Sequence, residues 1–298
     1  MPTHPKSLLD LKSYSHEKLN SFFLKVAKLK KSASPALSFG ERIGLLFFEP
    51  STRTRMSFES AAIRCGLGPL VFDGGPNTSL EKGETVEDSV LNIAAMQPKM
   101  IVIRCGDNVD LSSLSQQITP PIINAGWGVK GHPTQALLDI YTLRENFPEV
   151  QGKKILIIGD IRHSRVAASH FEVLPLLGVQ VGICGPQNFL IERPGVEIFK
   201  NLKDGLKWSD AVMALRVQFE RHADRQNMAG LEYRSEFGLN KENLNYLKKE
   251  AIVMHPGPIN HGLELESEVL RDPRCRVLQQ VQNGVYVREA LIRELYEQ

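Results

Sequence analysis

Gly44-Leu-Leu-Phe-Phe48 runs directly into Glu49-Pro50-Ser51-Thr52-Arg53-Thr54-Arg55, and this stretch decides how the chain is read. A short apolar run without polar alternation is the pattern of a strand buried on both faces. After the turn, Thr54, Phe58, Ala61, Ala62 and Cys65 recur at helical spacing, so a helix starts where the strand stops. Ser51 or Thr52 is placed to cap that helix, whose free N–H groups and dipole face the turn. A helix start of this kind suits a dianionic phosphate, with Arg53 as a bidentate fork and Thr52 and Thr54 as hydroxyl donors. A plain capping sequence with surface arginines is the bland alternative, and the strand and the two arginines weigh against it.

Working outward, the same unit repeats. Met100-Ile-Val-Ile103 ends at Arg104, and Pro121-Ile-Ile123 leads into Asn124-Ala-Gly126. Lys154-Ile-Leu-Ile-Ile158 ends at Gly159-Asp160, with Arg162 and Arg165 behind it, and Val179-Gln-Val-Gly-Ile183 ends at Cys184-Gly-Pro186. Ala211-Val-Met-Ala-Leu215 ends at Arg216, and Ala251-Ile-Val-Met254 at His255-Pro-Gly-Pro258. Such runs with helical segments between them predict an α/β chain of two tandem doubly wound parallel sheets. The expected division is a first domain over 1–132 and a second over 133–284, with a C-terminal helix at about 285–298 packing back on the first. His132-Pro133 opens a helix near the boundary, with Leu137, Ile140 and Tyr141 on one apolar face.

Ligands of open parallel sheets bind beyond the carboxyl ends of the strands. Arg104 or Arg216 taken singly reads as an ion-pair residue. Several arginines after strands of two domains instead predict one anion-rich cleft between them. The whole chain is close to neutral, with 36 Lys and Arg against 34 Asp and Glu and a net charge of +2. That balance excludes the basic excess expected of a nucleic-acid or membrane-surface binder. The four cysteines, Cys65, Cys105, Cys184 and Cys275, have no metal or disulfide spacing, which fits a reducing cytosol. Met1 to Tyr14 has no signal-peptide core, and no apolar run is long enough for a bilayer, so a soluble cytoplasmic protein is expected. The turn Gly159-Asp-Ile-Arg-His-Ser-Arg165 lacks the glycines with which a backbone approaches a pyrophosphate, so a dinucleotide site is not expected.

Taken together, Ser51-Thr-Arg-Thr-Arg55, Ser79-Leu-Glu-Lys82-Gly-Glu-Thr85, His132-Pro-Thr-Gln135-Ala-Leu-Leu-Asp139, Arg216-Val-Gln218 and His255-Pro-Gly-Pro258 resemble the aspartate/ornithine carbamoyltransferase family. They follow the family's order over essentially the whole chain, and they fit its aspartate-using members. The resemblance implies transfer of the carbamoyl group of carbamoyl phosphate to the α-amino group of L-aspartate, an entry to pyrimidine synthesis needing no metal or organic cofactor. By the same resemblance, Ser51, Thr52, Arg53 and Thr54 hold the phosphate. Thr54, Arg104 and His132 point at the carbonyl oxygen, and Gln135 orients the carbamoyl amide. Gly257 and Pro258, joined by a cis peptide, offer backbone carbonyls to that amide. Arg165, Arg216 and Gln218 take aspartate. Ser79 and Lys82 reach a neighbouring subunit's site, so a homotrimer is implied, in some relatives within a larger assembly with regulatory chains or another pyrimidine enzyme.

Three positions depart from the family pattern: Trp127 where relatives usually carry aspartate, Cys105-Gly106 after Arg104, and His261 where many have arginine. An ornithine-type enzyme is the first rival, but its pattern carries His-Cys-Leu-Pro where this chain has His255-Pro-Gly-Pro258. A catalytically silent subunit is the second. Intact Arg53, Thr54, Lys82, Arg104, His132 and Arg165 weigh against it.

Overall fold

The computed structural model describes residues 7–75, 78–217 and 227–297, with side chains from 231 onward in the last stretch. The chain clusters into two compact units, Met1–Leu138 with Val281–Gln298, and Asp139–Gln280. Along it run α1 (His16–Lys31), β1 (Arg42–Phe47), α2 (Thr52–Arg64), β2 (Gly68–Asp73), α3 (Val86–Ala95), β3 (Ile101–Cys105), α4 (Leu111–Gln117) and β4 (Ile122–Trp127). Then follow α5 (Pro133–Asn146), β5 (Lys154–Ile158), α6 (Arg165–Val173), β6 (Gln180–Cys184), β7 (Val196–Phe199), α7 (Leu202–Trp208), β8 (Ala211–Ala214), α8 (Asn227–Phe237), β9 (Ile252–Met254) and α9 (Val277–Tyr296).

The first sheet has the order β2-β1-β3-β4 and the second β7-β6-β5-β8-β9, and every pairing is parallel. Both predicted sheets are therefore present. The central strands carry the continuous apolar runs because helices bury both faces: β1 is buried from Ile43 to Phe47, β5 from Ile155 to Ile158, and β8 throughout. Two strands escaped the sequence reading. Both β2 and β7 lie at sheet edges and are mostly half-buried or exposed, so neither shows the unbroken apolar signature. The last helix begins at Val277, ahead of the expected start at about 285, because Leu278-Gln-Gln-Val-Gln-Asn283 is helical without an apolar stripe.

In the first unit, the end of α9 is locked to α2. Arg288 Nη1 donates to Ser57 Oγ at 2.8 Å, and its guanidinium lies 5.1 Å from the centre of the Phe58 ring. Glu289, 1% exposed, sits between Arg64 Nε at 2.5 Å and Arg293 Nη2 at 2.9 Å. A buried carboxylate of this kind persists only when its charge is matched by well-placed donors. Phe58 itself is fully buried. Phe58→Ala should cost ~3–5 kcal/mol in chemical denaturation, the range for emptying an aromatic core site.

Candidate active site

In each sheet the chain starts in the middle and winds first to one side, then to the other. The switch falls between β1 and β3 in the first sheet and between β5 and β8 in the second. Neighbouring connections there leave in opposite directions, opening a crevice at the strands' carboxyl ends. The arginines singled out in the sequence follow β1, β5 and β8, and Arg104 is the last residue but one of β3.

At the first switch point, β1 ends at Phe47 and α2 begins at Thr52. Ser51 is the cap residue, but its side chain makes no capping bond; only its carbonyl accepts, from the Arg55 N–H at 3.1 Å. The expected Ser/Thr cap is thus not formed, and the first turn of α2 keeps donors for an external acceptor. Thr54 is buried, 7% exposed, while Thr52 and Arg53 are exposed. Among the described residues no carboxylate pairs with Arg53. Surrounding protein strips part of its hydration, and that burial alone lowers its pKa from the usual arginine value. The guanidinium remains charged at neutral pH and is held where an anion would relieve it.

Arg55 is different. It pairs with Asp73 at the end of β2 and with Glu59 at 3.4 Å, so the second arginine of the motif ties α2 to the edge strand. Arg162 is likewise committed to structure, donating through Nε to the Asn188 carbonyl at 3.0 Å and through Nη2 to that of Leu190 at 2.8 Å. Neither could have been separated from Arg53 and Arg165 by sequence position.

Arg104 lies opposite Phe47 in the β1–β3 register, next to the start of the turn between β1 and α2. Its Nε is 3.7 Å from Glu49 Oε2. Pairing between β3 and β4 shifts between Ile103 and Cys105: Ile103 pairs with Asn124, but Cys105 with Trp127. This bulge lies across from Arg104, and bulges re-aim neighbouring side chains. It is filled by fully buried Asn124, whose Nδ2 donates to the Leu9 carbonyl at 2.7 Å and whose Oδ1 accepts from the Gly126 N–H at 2.7 Å. Trp127, one of the departures from the family pattern, is a framework residue. It is 8% exposed and donates from Nε1 to the Val109 carbonyl at 2.8 Å, closing the loop after β3. Cys105 is buried in the same core.

Following β4, His132 is 4% exposed, and its carbonyl accepts from the N–H groups of Gln135 at 3.0 Å and Ala136 at 3.2 Å. The backbone of His132 thus opens α5. Gln135 is buried one turn on. Ser79 and Lys82 occupy a 3-10 turn after the edge strand β2. Lys82 is exposed with no charged partner among the described residues. Ser79 hydrogen-bonds Glu84, whose carboxylate also accepts from Ser89 Oγ at 2.7 Å and Asn92 Nδ2 at 3.4 Å. These donors, Ser89 first, pull the Glu84 pKa below the usual carboxylate value and pin the base of the turn.

At the second switch point Gly159 leaves β5 with φ +121, and a Cβ there would meet the Leu215 carbonyl and the Tyr233 hydroxyl at 3.2 Å. Buried Asp160 accepts from His163 Nδ1 at 2.9 Å, Ser164 caps α6 through the Ala167 N–H at 3.2 Å, and Arg165 is the first helical residue, half-buried. Arg216, also half-buried, follows the neighbouring β8. Gln218, expected beside it, lies outside the described residues. After β9 the Gly257–Pro258 peptide is cis.

A model of the carbamoyl-phosphate-binding domain of aspartate/ornithine carbamoyltransferases matches residues 6–145, and one of the Asp/Orn-binding domain matches 151–295. The chain belongs to the aspartate/ornithine carbamoyltransferase family. A curated aspartate carbamoyltransferase catalytic subunit from Christiangramia forsetii is 47% identical over 253 residues, 84% of this chain and 81% of that one. The crystal structure of ornithine carbamoyltransferase from Thermus thermophilus superposes with a TM-score of 0.85 at 27% identity, covering 98% of this chain and 99% of that chain. Aspartate transcarbamoylase from Trypanosoma cruzi in complex with carbamoyl aspartate and phosphate gives 0.83 at 27% identity, covering 97% and 95%. The carbamoyltransferase domain that binds carbamoyl phosphate is thus the half of this chain that holds the open start of α2.

If Arg53 is the anion ligand and Arg55 a strut, calorimetric titration with inorganic phosphate separates them. Arg53→Gln should weaken binding about 10-fold or more, the scale of one charge-assisted hydrogen bond. Arg55→Gln should leave it within about 2-fold while lowering thermal stability.

Proposed function

We propose that this chain transfers the carbamoyl group of carbamoyl phosphate to the α-amino nitrogen of L-aspartate, releasing N-carbamoyl-L-aspartate and phosphate. The observation that carries the reading is the pair of arginine-bearing switch points. One combines a helix start with open donors and an arginine without a carboxylate partner; the other places Arg165 and Arg216 after adjacent strands. Two anions call for two cationic sites, and the family supplies the chemistry.

In this mechanism Ser51, Thr52, Arg53 and Thr54 hold the phosphate of the donor. The amine of aspartate, held through its carboxylates by Arg165, Arg216 and Gln218, attacks the carbonyl carbon. Negative charge moves onto the carbonyl oxygen, where Thr54, Arg104 and His132 stabilise it. Gln135 and the carbonyls at Gly257 and Pro258 orient the carbamoyl NH2, because an amide needs acceptors to fix its plane. The C–O bond to phosphate then breaks, and the departing phosphate takes the proton from the amine, so no enzymic base is required. Holding the two reactants together can account for about 7–11 kcal/mol of the barrier, and each preorganised oxyanion donor for about 3–4.

The aspartate reading is favoured over ornithine by the sequence His255-Pro-Gly-Pro258 and by Arg216, a cation suited to an anionic co-substrate. Five of the exposed or half-buried site residues, Arg53, Lys82, Arg104, Arg165 and Arg216, are cations, which a silent subunit has no reason to keep. Lys82, exposed on its pinned turn, completes the site of a neighbouring copy in a homotrimer. Regulatory chains or a second pyrimidine enzyme would join such a trimer from outside. The pathway is pyrimidine synthesis in the cytoplasm; among the described residues no helix is long and apolar enough to cross a membrane.

Purified protein given carbamoyl phosphate with aspartate or with ornithine should form carbamoylated product only with aspartate. Product with ornithine alone would overturn the acceptor, and none with either would overturn the reaction. Arg216→Ala should raise the KM for aspartate about 10-fold or more and that for carbamoyl phosphate far less. Mixing Lys82→Ala with Arg53→Ala chains should restore activity in hybrids if sites are shared between copies; hybrids as inactive as the parents would exclude the shared site.

A further inference from the structure

Behind the second switch point lies a chain of buried polar groups that the reaction above does not use. It starts at α6, where His170 Nδ1 is 2.7 Å from the carbonyl of Val166, the residue after Arg165. A carbonyl only accepts, so this nitrogen carries the proton. The other ring nitrogen faces Asp139 Oδ2 of α5 at 3.3 Å, an electrostatic contact without hydrogen-bond alignment. Asp139 Oδ1 accepts from Gln280 Nε2 of α9 at 2.7 Å, and Gln280 Oε1 accepts from the His255 N–H at 2.9 Å.

His255 then turns the chain toward the cis peptide. Its Nδ1 accepts from the Gly257 N–H at 2.8 Å, which fixes the neutral tautomer with the proton on Nε2. That nitrogen is 3.4 Å from Glu264 Oε1, again an electrostatic contact without hydrogen-bond alignment, and Glu264 Oε1 accepts from the Asn260 N–H at 2.7 Å. Asn260 Nδ2 donates to the carbonyl of Val217, the residue after Arg216, at 3.1 Å. His170, Asp139 and Glu264 are 0% exposed, Gln280 and His255 2%, and Asn260 is half-buried, so all but the Asn260 end of the chain is shielded from competing water.

The two ends of this chain thus grip the backbone one residue past Arg165 and one residue past Arg216, and its middle grips Gly257. We propose that Asp139, Gln280, His255 and Asn260 are positioning residues: a buried frame that sets Arg165, Arg216 and the Gly257–Pro258 carbonyls at fixed separations within the second unit. Two carboxylates on one small acceptor accept little variation in the spacing of their cations. Directed bonds through a low-dielectric interior favour one spacing of the groups they join. The inference rests on the proposed reaction for its kinetic consequences, but not for the frame itself.

The frame has two arms, and they can be cut separately. Gln280→Met frees the His255 N–H and loosens the Gly257–Pro258 turn. It should raise the KM for carbamoyl phosphate about 2- to 10-fold, the worth of one hydrogen bond, and move the KM for aspartate less. Asn260→Ala releases the Val217 carbonyl beside Arg216 and should do the reverse. Asp139→Asn, which keeps an acceptor for Gln280, should stay near wild type where Asp139→Ala does not. A general loss of structure cannot produce opposite splits in the two variants. Equal shifts of both constants, or a fall in kcat alone, would overturn the proposal.

Amide hydrogen exchange tests the frame whatever the activity. In the wild-type protein the His255 and Gly257 amides should exchange as slowly as those of β9, and Gln280→Met should speed both while sparing β5. Fast exchange in the wild type refutes the frame; slow exchange in a chain that makes no product from the two substrates refutes only the reaction. Should Gln280→Met fail to fold, Asn260→Ala and the wild-type exchange pattern still decide.

Discussion

The structure depends on one constraint: two parallel strands cannot be joined by a tight turn. Each connection must cross a sheet face, all but the one from β6 to β7 carry an α-helix, and the crossover is almost always right-handed. Helices therefore begin where strands end, and the positive ends of their dipoles collect along one edge of each sheet. Where the winding direction reverses, between β1 and β3 and between β5 and β8, two such connections diverge and leave room. A nearly neutral chain can then handle anions with a few well-placed cations and needs no basic surface.

Within that scheme, arginine is not one kind of residue. Arg55 and Arg162 sit in the same motifs as Arg53 and Arg165, yet one binds Asp73 and Glu59 and the other two backbone carbonyls. Arg55 ties the start of α2 to the edge strand, while Arg53 stays exposed and charged with no carboxylate paired to it among the described residues, its pKa lowered by lost hydration. Replacing any of these by lysine would forfeit the planar fork that lets a guanidinium serve two acceptors at once. Trp127 belongs with the struts. Its indole closes the loop after β3, and the bulge opposite Arg104 is completed by Asn124.

The buried frame of the second unit extends the same logic. A carboxamide such as Gln280, which donates to Asp139 and accepts from His255, has to be in one orientation to satisfy both partners. Groups of this kind cost stability unless every bond is made, so they impose a single arrangement on the elements that carry them.

By itself the sequence determined the class of fold and the central strands. Val, Ile and Leu in unbroken runs cannot be left facing water, and the turn chemistry after each run sets where helices begin. It also determined the chemistry at the strand ends, because Ser51-Thr-Arg-Thr-Arg55 and His255-Pro-Gly-Pro258 carry their types and spacing in one dimension. The edge strands β2 and β7 and the first half of α9 were not legible, since half-exposed or amide-rich segments lack a periodic apolar signal. Only tertiary structure decided which arginines are open and which are bound, that Ser51 does not cap α2, and that His170, Asp139, Gln280 and His255 form one chain. Those outcomes depend on partners far apart in sequence, such as Gln280 and Asp139, and no local pattern records a distance between residues that only folding brings together.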